Sequence, residues 1–247
     1  MYDMNLFVCI DDTDNLDSIG TGELLENMMA EAALRNFGTG GFTVRYQFLI
    51  DDAIPYTSHN SAMCCSAQTG DRSAFTSFCE NYLQQHAADG SDPGLCILTD
   101  DEALDYTPLI AFGKRAQTEV LTKEEAFAAA KAFGKELHLS EHGGTGGGVI
   151  GALAGAGLRA GKEEGRIKGK LQPLQNKTDW TMEAFAAAYG VERFADEDGN
   201  EITEQLPIRF LLPTKLIYQR GRITAVLVEK DGQWMPKPKL KKNKDHG

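Results

Sequence analysis

The sequence lacks the features that assign a chain to a class most quickly. Its five cysteines stand at 9, 64, 65, 79 and 96 with no C-x-x-C pair. With that spacing and an odd number, neither a zinc ribbon nor a disulfide framework is indicated. No apolar run approaches the roughly 20 residues that a membrane helix needs. The opening MYDMNLFVCI has no basic segment and meets acids at Asp11, which is not the pattern of a secretory signal. A reducing, cytoplasmic setting without a membrane partner is therefore expected. No fixed-period repeat is visible. Positive charge is also scarce: the net charge is −11. From Lys237 to Gly247 five lysines face one aspartate, so the other 236 residues sum to −15. A body this acidic is not a general binder of phosphate backbones. The basic end reads as a disordered, solubilising tail, with an RNA-touching tail as the other reading.

What is present is an ordinary globular composition, 42% hydrophobic and 25% charged. Its length suits one large domain or two small ones. Leu6–Ile10 reads as a buried strand. Gly22–Asn36 reads as a helix with Leu24, Leu25, Met28, Met29 and Ala32 on one face. Residues 42–50 and 61–68 alternate like strands, Arg72–Ala87 fits a helix, and 94–100 another strand. The order β-α-β-β-α-β over residues 1–100 predicts an α+β fold with a ferredoxin-like unit.

Residues 101–236 read as a helix-rich α/β portion ending in strands, and 237–247 as the tail. Helices are expected over Leu104–Gln117, over 122–138 with a Thr122/Glu125 capping box, from about Val149, and over 179–190. A hairpin turn is expected at 196–200. Three segments, Ile208–Tyr218, Arg222–Gly232 and 233–236, suggest a closing β element.

Four aspartates, Asp11, Asp12, Asp14 and Asp17, fall within seven positions where the first strand meets the first helix. Carboxylates at the end of a buried strand suit Mg2+, which usually takes one or two of them plus phosphate oxygens. The ion would relieve their mutual repulsion. The alternative is a helix start, with Asp17, Ser18 or Thr21 as cap. That accounts for Asp17. It does not account for Asp11 and Asp12, which lie too far upstream, so Asp11, Asp12 and Asp14 are the expected metal ligands.

A second constellation surrounds Thr145: Gly143, Gly144, Gly146, Gly147 and Gly148, with a helix following. Glycines let backbone N–H groups approach an anion, and a helix start favours negative charge, so a phosphate cradle is expected here. No Lys-Ser/Thr pair follows, so this is not a Walker A loop. Gly147, Gly151 and Gly155 recur every four residues, which also suits close helix packing. A third stretch, from Asp51 to Ala67, carries the polar run Thr57, Ser58, His59 and Asn60. It reads either as a binding mouth or as a solvated β-connection. The adjacent Cys64 and Cys65 are expected to alternate across a strand.

The segments IDDTD (Ile10–Asp14), IPYTSHNSA (Ile54–Ala62) and GGGVIGALAGAGLR (Gly146–Arg159) occur in an order and rough spacing that resemble the tRNA-Ile 2-agmatinylcytidine synthetase (TiaS) family over about residues 5–160. The family pattern is I-D-D-T-D leading to C-T-T-Y-L, then I-P-W-K-T-R-G-N-G, then G-L-I-G-A-L-A-A-I-G. The resemblance implies a kinase-like domain beside a ferredoxin-like one. It implies ATP and Mg2+ held at Asp11, Asp12 and Asp14, and joining of agmatine to a tRNA wobble cytidine. An ungapped overlay sets Thr21 at the first threonine of C-T-T-Y-L, a segment in which the family phosphorylates itself.

Departures cluster on RNA binding. No cysteine pairs are present for the family's zinc ribbon. Thr57, Ser58, His59, Asn60, Ser61 and Ala62 replace K-T-R-G-N-G, losing its arginine and both glycines. The resemblance therefore implies a shortened relative that keeps a nucleotide site and has changed or lost its tRNA substrate. Tyr56, Ser58, His59 and Asn60 would contact an acceptor, either a small amine or a nucleotide base. A non-catalytic protein that binds a cationic amine or a nucleotide is the alternative.

Overall fold

Five consecutive buried residues, Leu6 to Ile10, show no alternation of burial because both faces of their strand are covered. The computed structural model describes residues 2–54 and 59–239. The chain divides into two compact units, Met1–Gly165 and Arg166–Gly247.

The first unit runs β1 (Met4–Asp11), α1 (Thr21–Leu34), β2 (Thr39–Gly40), β3 (Val44–Gln47), β4 (Ser61–Thr69), α2 (Arg72–His86), β5 (Gly94–Thr99), α3 (Thr107–Ala116), α4 (Lys123–Lys131), β6 (Leu137–Glu141) and α5 (Gly148–Ala160). The strand order is β6-β5-β1-β4-β3, with β2 also on β4, and every pairing is antiparallel. Strands β5-β1-β4-β3 with α1 and α2 form the expected ferredoxin-like unit, within an α+β fold.

Leu6, Val8 and Ile10 face a core shared with Leu24, Leu25, Met28 and Met29 of α1 and Phe75, Cys79 and Leu83 of α2. The opposite face of β1 carries Cys9, covered by α5 at Gly155. Cys64, Cys9 and Cys96 stand side by side on β4, β1 and β5. All five cysteines are buried and free. Burial pushes the Cys9, Cys65, Cys79 and Cys96 thiols up, which leaves them unreactive. Cys64 and Cys65 do alternate across the strand, but both faces there are interior.

The boundary drawn at residue 100 marks the end of the βαββαβ order. The elements up to 165 then pack onto it, with α5 lying across β1, β5 and β4 and α3 against α5. The helix expected over 122–138 is shorter. Thr122 and Glu125 form the capping box, but α4 stops at Lys131. Gly134 then adopts a positive φ of 53°, and Leu137–Glu141 joins β5 as the edge strand β6.

The second unit contains β8 (Asp179–Thr181), α6 (Met182–Tyr189), β9 (Arg193–Ala195), β10 (Pro207–Arg209), β11 (Ile217–Gln219), β12 (Arg222–Lys230) and β13 (Gln233–Pro236), preceded by β7 (Gly165–Ile167) at the junction. The helix expected over 179–190 begins only at Met182, where Thr181 caps it by accepting the Ala184 N–H at 3.1 Å. Residues 179–181 pair with β10 instead. The core is aromatic: Phe185 packs edge-on to Trp180 and Phe210, with Ile208, Phe194 and Leu227 around it. The turn at 196–200 forms, with Asp196 accepting the Asp198 and Asn200 N–H groups. Lys237 and Lys239 are within the described residues; residues 240–247 of the expected tail lie outside them.

Candidate functional site

Strand register collects the site at one end of the first sheet. Asp11 stands opposite Gly94, Gly94 opposite Glu141, Ile10 opposite Met63, and Ser61 opposite Gln47. The end of β1 therefore shares an edge with the starts of β4 and β5 and the ends of β3 and β6. Asp12 breaks β1 with a positive φ of 51°, a left-handed conformation that Asp tolerates better than most residues. The turn buries Thr13, whose carbonyl accepts the Ala88 N–H at 3.0 Å. It returns Asp14 beside α1, where Oδ1 accepts a 2.9 Å hydrogen bond from Thr21 Oγ1. Thr21 is the first residue of α1 and is buried. The N-cap is Gly20, with no side-chain cap, so none of Asp17, Ser18 and Thr21 caps this helix.

The glycine-rich segment lies against the same strand end. Gly148 N–H donates to the Asp92 carbonyl at 3.1 Å, and a Cβ at Gly148 would lie 2.2 Å from that oxygen. A Cβ at Gly151 would lie 1.7 Å from Asp11 Oδ2, and one at Gly155 2.5 Å from Cys9 Sγ. Gly151 and Gly155 are thus spaces through which α5 approaches β1, whereas a Cβ at Gly147 would meet only ordinary clearance, 3.6 Å. The aspartate turn and the glycine-rich segment, far apart in sequence, touch through Asp11 and Gly151.

Three residues of this region were not anticipated. Asp92 places its carboxylate on the glycine loop, accepting from Thr145 N–H at 2.6 Å and from Thr145 Oγ1. On the loop's other side Lys123 Nζ donates to Glu141 Oε2 at 2.8 Å and to the Thr145 carbonyl at 3.1 Å. Nothing local in SDPG (Ser91–Gly94) or in the α4 sequence signals these roles; only the pairing of β5 with β1 and β6 creates them. Within Gly143–Gly148 the Gly146 N–H also bonds internally, to the Gly143 carbonyl.

The electrostatics are unbalanced. Burial first, then the neighbouring Asp12 and Asp14 charges, push the Asp11 carboxyl up to about 8. Burial, then Asp92 and Asp14, push Asp12 up to about 6. Both shifts measure the cost of collecting negative charge in a partly dry place. A divalent cation would reverse it, so the donor set fits Mg2+. Among the described residues no three of His, Cys, Asp and Glu converge as a ready-made metal cage. A cation here would take one or two carboxylates and find its remaining ligands in water or phosphate, which is the usual Mg2+ arrangement.

The third expected segment divides. Tyr56 and Ser58, with Pro55 and Thr57, lie outside the described residues. His59 is exposed at the same sheet end. Asn60 closes the β3–β4 connection: its Nδ2 donates to the Leu49 carbonyl at 2.7 Å, and its carbonyl accepts from Phe48 N–H at 2.9 Å and Gln47 Nε2 at 2.7 Å.

No family model matches the sequence, and no curated protein matches it. Solved structures do match. A complex of TiaS with tRNA and ATP superposes with a TM-score of 0.56 and 26% identity, covering 75% of this chain and 44% of that one. Apo TiaS, an isoleucine-tRNA agmatidine synthetase, gives 0.52 and 25%, covering 71% and 37%. A tRNA fluorescent labeling enzyme gives 0.53 and 26%, again covering 71% and 37%. The chain thus spans about two fifths of the length of the proteins it matches. No described helix is long and apolar enough to cross a membrane. Seven tenths of this chain therefore carries a TiaS-like fold.

Proposed function

We propose that the protein is a TiaS-like enzyme dependent on ATP and Mg2+, transferring a phosphoryl group or driving a ligation onto an amine or a nucleotide base. The observation that carries this reading is the contact between Asp11 and Gly151, which joins the aspartate turn to the start of α5 and its glycine loop. Asp11, Asp12 and Asp14 would hold Mg2+, which when bound neutralises phosphate charge and bridges phosphate oxygens. Of the loop residues Gly143, Gly144, Thr145, Gly146, Gly147 and Gly148, the amides of Gly143, Gly144, Thr145 and Gly147 would receive the phosphates, while those of Gly146 and Gly148, bonded to the Gly143 and Asp92 carbonyls, would hold the loop's shape. Asp14 orients the Thr21 hydroxyl and is the nearest proton acceptor if that hydroxyl is phosphorylated. Tyr56, Ser58, His59 and Asn60 would line the acceptor side.

Thermal stability with and without ATP and Mg2+ tests the reading. At a ligand concentration of 100 Kd the native state gains about 2.7 kcal/mol. No shift with any nucleotide at millimolar concentration, with or without Mg2+, sinks it.

A second reading is supported by the crowding of the Asp11 and Asp12 carboxyls with other acids, whose ionisation a cation would favour: binding of a cationic amine such as agmatine without turnover. Amine binding that survives EDTA and Asp11→Asn, with no release of phosphate or AMP, selects it. The narrower reading, agmatinylation of a tRNA wobble cytidine, requires tRNA binding whose affinity falls steeply with salt.

A further inference from the structure

We propose that Asp92 is a built-in rival of the phosphate: it seats its carboxylate on the Gly143–Gly148 loop when no polyphosphate is bound, and is released toward the cation when one arrives. The inference rests on the proposed nucleotide site and adds a regulating residue to it.

Three observations carry it. First, the anion seat is made and filled by the chain itself. Asp92 takes both the Thr145 N–H, at 2.6 Å, and the Thr145 hydroxyl, which are donors an incoming phosphate oxygen would use. Second, the loop is shaped to this carboxylate. Gly144 has φ +55°, and a Cβ there would lie 1.3 Å from Asp92 Oδ1, so only glycine admits the group. Third, the backbone of Asp92 does not depend on where its carboxylate sits. Its carbonyl accepts the Gly148 N–H at 3.1 Å at the first residue of α5, so the side chain can rotate away while the strand stays in place.

Lys123 holds the Thr145 carbonyl and Glu141 from the far side, which keeps the loop in position once Asp92 leaves. On the aspartate side, Asp12 follows the end of β1 and Asp92 precedes the start of β5, strands paired with Asp11 opposite Gly94. A cation held at the aspartate turn would thus offer the released Asp92 carboxylate a partner. The loop therefore opens to phosphate most readily when the phosphate comes with its divalent ion, and metal-free polyphosphate binds more weakly. Asp92 is a positioning residue in this scheme. No bond is made or broken at it.

The experiment measures binding of inorganic tripolyphosphate by calorimetry to the full chain and to Asp92→Asn, with EDTA and with Mg2+. Without metal, Asp92→Asn should bind about tenfold more tightly than wild type, the equivalent of one charge-assisted hydrogen bond no longer competing. With Mg2+ the wild type should gain more from the metal than the variant does. A loss of packing alone would weaken both conditions together. Thr145→Val, which removes the hydroxyl donor and keeps the amide, is the second variant and should also narrow the difference between metal-free and metal-bound affinity.

Wild type that binds Mg2+–tripolyphosphate, with both variants showing the same metal dependence, overturns the role of Asp92 and leaves the nucleotide site standing. Failure of wild type and both variants to bind tripolyphosphate under either condition overturns the role of Asp92, and the thermal shift with ATP then decides the nucleotide site separately.

Discussion

The two units treat charge in opposite ways. Residues 1–165 carry 25 acidic and 10 basic side chains, and residues 166–247 carry 11 and 15. The contrast is sharper in single residues. Arg193 in the second unit is almost wholly buried, and its guanidinium donates to Gln219 Oε1 at 2.6 Å and the Gly199 carbonyl at 2.8 Å, with Glu201 at 3.5 Å. Glu201 in turn accepts from Arg222 at 2.7 Å. Asp11 and Asp12 in the first unit are driven in among other carboxylates. A buried charge given its partners within the chain is architecture. One whose nearest charged neighbours share its sign costs stability, and such a cost makes the place a candidate for a counter-charge from outside the chain.

The largest effect that could break this contrast is at Arg193. Arg193→Ala removes the side chain joining β9 to the 196–201 turn and β11. It should destabilise the protein by about 2–5 kcal/mol, on the scale of a large-to-small core change. Denaturant unfolding reads this, and a loss below ~1 kcal/mol would mean that the buried guanidinium is not structural.

Asp11 should respond in the opposite direction. Its folded value of about 8 and the value of about 6 for Asp12 lie above the ordinary 3.8, so the folded state keeps protons that the unfolded chain has lost. Stability from these groups is therefore full below about 4 and falls as pH rises through 6 and then 8. Tm measured without divalent ions should drop across this window. Asp11→Asn should flatten the upper part of the drop, raising Tm at pH 8 relative to wild type. A variant less stable than wild type at pH 8 would show that the Asp11 carboxylate is already compensated.

The smallest effect is at Thr21→Val, which deletes the bond to Asp14 and should cost about 0.5–1.5 kcal/mol. If the site is used as proposed, it also abolishes any phosphate incorporation at that residue, read by mass spectrometry after incubation with ATP.

Much of the first unit was legible in its residues. The strand and helix order through residue 100 follows from period and from turn residues, and α1 buries the very side chains, Leu24, Leu25, Met28, Met29 and Ala32, that its spacing set on one face. Leu137–Glu141 was less legible. Its LHLSE could complete the preceding helix or form a strand, and Gly134 together with the open edge of β5 decided for the strand. Asp92 was invisible, because one aspartate before Pro-Gly has no meaning until a loop about 50 residues away is folded onto it.

By itself the sequence determined that carboxylates crowd the end of one buried strand and that glycines open a later helix, because both are local facts of composition and period. That these two places are one place, that Gly151 is the gap through which Asp11 reaches α5, and that Asp92 sets its carboxylate on the loop were decided only in three dimensions. Antiparallel pairing of β1, β5 and β6 sets residues 11, 94 and 141 abreast, and no pattern along the chain encodes that register.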